Sequence, residues 1–316
     1  MAVAKKSETT PLEKRKAAAV KSQPWWQPYW ELSRMPHWPR GTMLMFWPCV
    51  WGYILGRHGQ PEDPVILLQY ATAFLVGNTI LHCTICTLND ICDIDLDRQV
   101  ERTKNRPLPS GRLSIFQAWV FLSLQLAVFF AMLSVVNKEA FICGAFGVLP
   151  LHALYPLMKR WTNWPQAWLG LTMGWGVPTA WLMSSPHDYG SPAMWVLTLG
   201  IPCWAIVYDT IYACQDRKDD IKAGVKSCAV LFGSWVKQIL ALFAAAFVGS
   251  LIYAGVESGQ GWLYYLVAAG GCAAHFAWQL ITLDPDDGKD CEYKFDSNGQ
   301  LGYLVTAGLL VQWYLK

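Results

Sequence analysis

The stretch NDICDIDLDRQVERTKNRPLPSG, residues 89–111, sets four aspartates and four basic residues between two long apolar segments. Carboxylates are costly near a bilayer, so their place at the end of a span-length apolar run calls for a functional explanation. A second stretch, YDTIYACQDRKDDIKAGVKS at 208–227, repeats the pattern. It ends another apolar run with Asp209, Asp216, Asp219 and Asp220, among Arg217, Lys218, Lys222 and Lys226.

Outward from these two stretches, apolar segments of membrane-spanning length recur near 40–57, 65–87, 114–136, 140–157, 164–184, 191–213, 236–255, 261–283 and 300–315. The expected fold is therefore all-α: a polytopic membrane protein of about nine transmembrane helices in one domain, residues 25–316. Composition agrees. The chain of 316 residues is 53% hydrophobic and 15% charged, against roughly 25% charged in average soluble proteins. Its 18 tryptophans suit interfacial belts and apolar pockets. With nine spans, all of the 25 lysines and arginines except Arg57, Lys138 and Lys316 fall on one side, which the positive-inside rule assigns to the cytosol, or to the matrix of a mitochondrion. Both acidic stretches lie on that face.

Residues 1–24 are polar and basic and read as a disordered tail. They lack the apolar core of a secretory signal. Glu8, Glu13 and a single arginine make them a poor mitochondrial presequence. The ten cysteines, Cys83 and Cys86 included, are scattered through apolar segments and read as free thiols used as small apolar residues. The six histidines are isolated, and no HExxH, GxGxxG, Walker A or GxSxG motif occurs. The polar segment Asp284–Asn298 misses calcium-loop spacing by one residue and reads as a solvated loop.

Asn89, Asp93 and Asp97 are spaced i, i+4, i+8 and form one ridge on a helix; Asp216 and Asp220 repeat the spacing. Hard oxygen ligands in this pattern point to Mg2+, and two such ridges across a cavity mouth point to a diphosphate bound between them through the metal. The competing explanation is a set of solvated or helix-capping carboxylates, which two clusters on one face disfavour. A phosphate held among carboxylates needs cations, and Arg106 stands in the rigid turn Asn105–Gly111, next to the first cluster.

The motifs resemble the two signatures of the UbiA superfamily of intramembrane aromatic prenyltransferases, and the likeness runs over roughly 30–315. Residues 89–97 with 101–111 look like the first signature, 208–227 like the second, and Tyr155-Pro-Leu-Met-Lys159 like the YxxxK element between them. The resemblance implies nine transmembrane helices around a central cavity, Mg2+, a prenyl diphosphate donor and an aromatic small-molecule acceptor. Asn89, Asp93, Asp97, Asp216 and Asp220 match its metal–diphosphate positions. Arg106 and Lys159 match diphosphate contacts, and Tyr155 and Asp209 match positions near the reacting centre. Arg34 stands where the family has an arginine before its first helix, although the following turn departs from the family pattern.

The variant D-T-x-Y-A-x-x-D resembles the 4-hydroxybenzoate polyprenyltransferase branch. The short tail and Trp-rich first and fifth helices look like fungal members that prenylate phenolic polyketides. The expected activity is transfer of a farnesyl group to a ring carbon of such an acceptor in meroterpenoid biosynthesis. The alternative is 4-hydroxybenzoate polyprenylation in ubiquinone biosynthesis. A transporter is a remote third reading, since transporters place charges near the midplane on broken helices. The expected location is the endoplasmic reticulum or Golgi with motif loops in the cytosol, the mitochondrial inner membrane being the alternative. Neither nucleic acid nor an obligate protein partner is expected.

Overall fold

Capping residues set where the helices begin. Asp63 accepts the amides of Val65 and Ile66 ahead of Pro64, whose fixed φ suits a first turn. Ser114 and Gln117 form a reciprocal capping box. Asn137 accepts from the Ala140 amide, and Ser191 caps a helix that again opens with proline.

In the computed structural model, which describes residues 23–314, the chain forms nine long helical runs among the described residues and no strand. They are α1 (Arg40–Gly56), α2 (Pro64–Cys92), α3 (Ile115–Leu133), α4 (Lys138–Trp161), α5 (165–184), α6 (Pro192–Ala213), α7 (Val236–Glu257), α8 (262–282) and α9 (Gly288–Tyr314). Five of them, α2, α3, α4, α6 and α7, are long and apolar enough to cross a membrane by length and composition. The tail expected over 1–24 lies outside the described residues except for its last two.

Three runs are interrupted: α4, α5, and α8, which widens into a π-helical stretch over Tyr265–Gly270. Pro150 takes an N–H out of α4, and residues Gly147–His152 widen into a π-helical stretch. α5 breaks at Trp175, between Pro165–Gly174 and Gly176–Ser184.

Lipid tails are as apolar as leucine, so packing rather than water exclusion joins helices in a bilayer, and small residues set the contacts. A Cβ on Gly52 of α1 would meet the Val177 carbonyl of α5; one on Gly170 of α5 would meet Pro202 and Ala205 of α6; one on Gly200 of α6 would meet Ser250 of α7. The core lies along these crossings. Trp204 stacks on Phe247 at 5.6 Å and packs against Trp51 at 5.6 Å. Such aromatic pairs add about 0.5–1.5 kcal/mol beyond their buried area. Each indole N–H is used: Trp51 donates to Thr306, Trp204 to Asn298, and Trp47 to the Gly299 carbonyl. These bonds tie α1 and α6 to α9.

Gly52→Val is expected to force α1 from α5 against rigid backbone, at an overpacking cost of about 1–3 kcal/mol. A thermal scan of the purified protein in detergent should show a lower midpoint, and an unchanged midpoint would contradict the close crossing.

One expectation is corrected. The segment Asp284–Asn298 is not a solvated loop: α9 begins at Gly288, and Lys294, Ser297 and Asn298 are buried. Their polar atoms have partners, which is what permits burial. Lys294 pairs with Asp290 at 2.8 Å and lies over the Trp278 ring, while Asn298 takes the Trp204 indole N–H. Asp290 also accepts the Asp284 amide and closes the turn into α9.

Candidate active site

The first acidic stretch continues α2 rather than following it. The helix runs five residues past the expected end at 87, so Asn89 and Asp90 sit on its last turn. The chain changes direction at Asp93 and makes one more turn, Ile94–Asp97. The Asp93 amide donates to Asn89 O at 2.9 Å and the Asp97 amide to Asp93 O at 2.7 Å, so the one-turn spacing survives the bend. Thr103 Oγ1 then donates to the Asp97 carbonyl, and the Arg106 amide to Thr103 O, which folds the basic segment back over the acidic turn. Leu108 and Leu113 anchor it in a small cluster with Leu32 and Ala118.

The second stretch bends similarly. α6 ends at Ala213, a 3-10 turn covers Cys214–Asp216, and a short helix, Arg217–Ala223, stops at Gly224, whose φ of 70° lies in the left-handed region. The Lys226 amide donates to Lys159 O at 3.2 Å and fastens this segment to the end of α4.

The carboxylates and cations are cross-linked. Asp90, fully buried, receives Arg34 Nη2 at 2.5 Å and Nη1 at 3.0 Å, and Arg106 Nη1 at 3.2 Å. Arg106 also donates to Asp97 at 2.8 Å. Lys159 Nζ donates to Asp93 Oδ2 at 2.9 Å. Arg102 grips Asp216 through Nη2 at 2.6 Å and Nε at 3.1 Å, donates to the Tyr212 hydroxyl, and lies over its ring. Burial disfavours the charges of Arg34 and Arg102, but the carboxylates beside them prevail and hold both pKa values above the ordinary guanidinium range. Asp97 is shifted upward because burial outweighs the Arg106 charge. Arg34 also has a left-handed backbone, φ 59°, an unusual conformation for a residue with a side chain.

Two adjoining cavities meet here. A polar pocket of about 180 Å³ is lined by Asn89, Asp93, Asp97, Arg106, Tyr155, Lys159, Asp209, Asp216 and Asp220. A larger chamber of about 1030 Å³ shares Asn89, Arg106, Tyr155, Lys159 and Asp209 with it and adds Arg34. All ten residues singled out from the sequence thus line one cavity or the other.

Among the described residues no three His, Cys, Asp or Glu side chains converge closely enough to enclose a metal by themselves. The donor set nonetheless fits Mg2+, which keeps waters and takes phosphate oxygens rather than a full protein cage. Asn89 Oδ1 and Asp93 Oδ1 are buried and accept no hydrogen bond, although Arg160 comes within 3.5 Å of the latter. Buried oxygens without partners are rare, and these two belong to the predicted ligand positions.

Sequence reasoning left three residues without a role. Asp90 was seen in the cluster, yet only the fold shows it holding Arg34 and Arg106 together. Arg102 grips Asp216, and the Tyr212 hydroxyl accepts a further hydrogen bond from Arg102. Helical spacing was the available signal for Tyr212, which follows Asp209 by three residues on α6 and precedes Asp216 by four.

The sequence model of the UbiA prenyltransferase family matches residues 45–304. The chain is 42% identical to the UbiA prenyltransferase claS of Ampulloclitocybe clavipes, over 99% of this chain and 97% of that one. It is 40% identical to the mitochondrial 4-hydroxybenzoate polyprenyltransferase of Arabidopsis thaliana, over 90% of this chain and 68% of that one. Among solved structures, a UbiA homolog from Archaeoglobus fulgidus bound to GPP and Mg2+ shares the fold with a TM-score of 0.64, at 18% identity, over 90% of this chain and 98% of that one.

Proposed function

The chain belongs to the UbiA prenyltransferase family, and from that membership we propose that it transfers a farnesyl group to a ring carbon of a phenolic, polyketide-derived acceptor. It is an integral membrane prenyltransferase. The observation that carries the reading is the meeting of both motifs, Arg106 and Lys159 around one pocket that opens on a larger chamber. Similarity to the UbiA prenyltransferase claS over nearly the full length of both chains supports the prenyl transfer. In this reading all nine runs cross the bilayer, which is supported by the charge split of the loops.

The pocket takes the diphosphate and the chamber the reacting groups. Arg106 and Lys159, each on a carboxylate here, exchange it for phosphate oxygens, a site Arg fills through its two-pronged fork. Arg34 approaches from the chamber side. Mg2+ held by Asn89, Asp93, Asp97, Asp216 and Asp220 would neutralise the diphosphate and make it a better leaving group. The allylic C–O bond breaks with both electrons passing to the diphosphate oxygen. An allylic cation remains, and the chamber must keep water from it. Tyr155, one turn above Lys159, presents a ring beside the reacting carbon, and ring faces stabilise cations. Asp209 orients the phenol. A π pair of the electron-rich ring forms the new C–C bond, the ring carbon loses its proton through the polar mouth, and aromaticity returns. Fluorine beside the reacting allylic carbon destabilises the cation, so a fluorinated donor is expected to turn over far more slowly. Equal rates, with chemistry limiting, would rule out ionisation as the leading step.

Mass spectrometry of products from microsomes offered donors of several lengths with a panel of phenolic acids tests the assignment. A farnesylated phenolic acid supports it, and no prenylated product with any pair overturns it. A second reading, 4-hydroxybenzoate polyprenylation, is supported by the Arabidopsis relative and predicts long donors and a mitochondrial address. On the first reading the enzyme resides in the endoplasmic reticulum or Golgi. A C-terminal fluorescent fusion should label reticular membranes, and clean mitochondrial overlap would favour the second reading instead.

A further inference from the structure

A third cavity, of about 840 Å³, lies on the other side of Met173 from the chamber. Its walls are mostly apolar, with Met45, Phe129 and Trp175 among them, and His152 is one of the residues that line it. His152 is 4% exposed. Its Nδ1 lies 2.8 Å from the Gly147 carbonyl, and a carbonyl only accepts, so Nδ1 carries the proton. In the neutral ring this leaves Nε2 with a lone pair, and Nε2 has no partner. The tautomer is held in place by the fold. Gly147 and His152 bound the π-helical stretch of α4, and the Trp175 ring packs where a Gly147 Cβ would stand.

We infer that His152 is the hydrogen-bond acceptor for a hydroxyl of the aromatic substrate, and that the cavity beyond Met173 receives the oxygenated edge of its ring. The inference rests on the phenolic acceptor proposed above. A buried acceptor left unpaired in apolar surroundings is costly, and an O–H donor removes that cost. A prenyl tail has no such donor and would leave Nε2 as it is. The placement also suits the chemistry. His152 precedes Tyr155 by three residues, one turn on α4. Met173, the wall common to both cavities, accepts the Tyr208 hydroxyl on its sulfur at 2.9 Å. A ring anchored at Nε2 and lying across Met173 turns its far carbons toward Tyr155 and Asp209.

The test uses purified enzyme in detergent, farnesyl diphosphate, 2,4-dihydroxybenzoate and its 2- and 4-methyl ethers. Methylation keeps the ring electron-rich and removes one O–H donor. The wild-type enzyme should prefer the diol over one of the ethers by roughly tenfold in kcat/KM, the worth of a hydrogen bond to a buried acceptor. His152→Leu should bring that ratio close to one with the donor KM unchanged. His152→Gln, which keeps an acceptor oxygen, should restore part of it. Equal kcat/KM for diol and both ethers in the wild type overturns the inference, as does a ratio that survives in both variants. A change confined to donor KM or donor-length preference also overturns it and assigns the cavity to the prenyl tail. If the wild type prenylates no phenol at all with any donor, the parent reading falls and takes this one with it.

Discussion

Asp93→Asn and Asp216→Asn are each expected to lower turnover by about 10³-fold, roughly 4 kcal/mol in activation free energy. Asparagine keeps the size and removes the charge, so the loss measures the carboxylate as a cation ligand rather than as packing. The two variants disturb different neighbours. Asp93→Asn releases Lys159 and Arg160, whereas Asp216→Asn releases Arg102 and, through it, Tyr212. A shared defect would therefore point to the function the two carboxylates have in common. Chelation of divalent cations should give a comparable loss in the wild type, recovered on adding Mg2+. Near-normal turnover of Asp216→Asn at ordinary Mg2+ would sink the assignment, provided the variant elutes like the wild type.

Arg106→Lys should remain strongly impaired, by about 10²-fold, despite keeping the charge. Arg106 reaches Asp90 and Asp97 with one nitrogen and has further donors for a phosphate; lysine offers a compact point charge on a flexible stem. Loss of a donor aimed at developing negative charge costs about 10²–10³ in turnover in other enzymes. The defect should appear in turnover and in the donor KM. A defect restricted to the acceptor KM would contradict a diphosphate role.

Most of the fold was legible because apolar length and capping chemistry are local properties. The apolar segments expected from 65 and 191 begin at Pro64 and Pro192, each within a residue of the expected start. The start of α9 was not legible. Lys294, Ser297 and Asn298 look solvated in a linear reading, and only partners from α6, α8 and the turn into α9 make their burial possible. The candidate site was read through residues whose spacing repeats. Asp90 breaks the i, i+4 rhythm, so its role as the partner of two arginines far apart in sequence emerged only from the fold. His152 carried no signal at all: an isolated histidine in an apolar helix gains meaning only when both ring nitrogens have been located.

The pairing of Arg34, Arg102, Arg106 and Lys159 with carboxylates has a kinetic corollary. Charges of opposite sign a few ångströms apart cancel at a distance, so the mouth projects little long-range field toward an approaching polyanion. Electrostatic steering is thereby weakened, and the association rate of the diphosphate should vary little with ionic strength over the range where a bare basic cleft would lose it steeply. Affinity would instead arise after contact, as each cation trades one anionic neighbour for another. An inorganic phosphate or other simple anion, arriving without a metal to occupy the vacated carboxylates, has no comparable exchange to offer and should be a poor inhibitor.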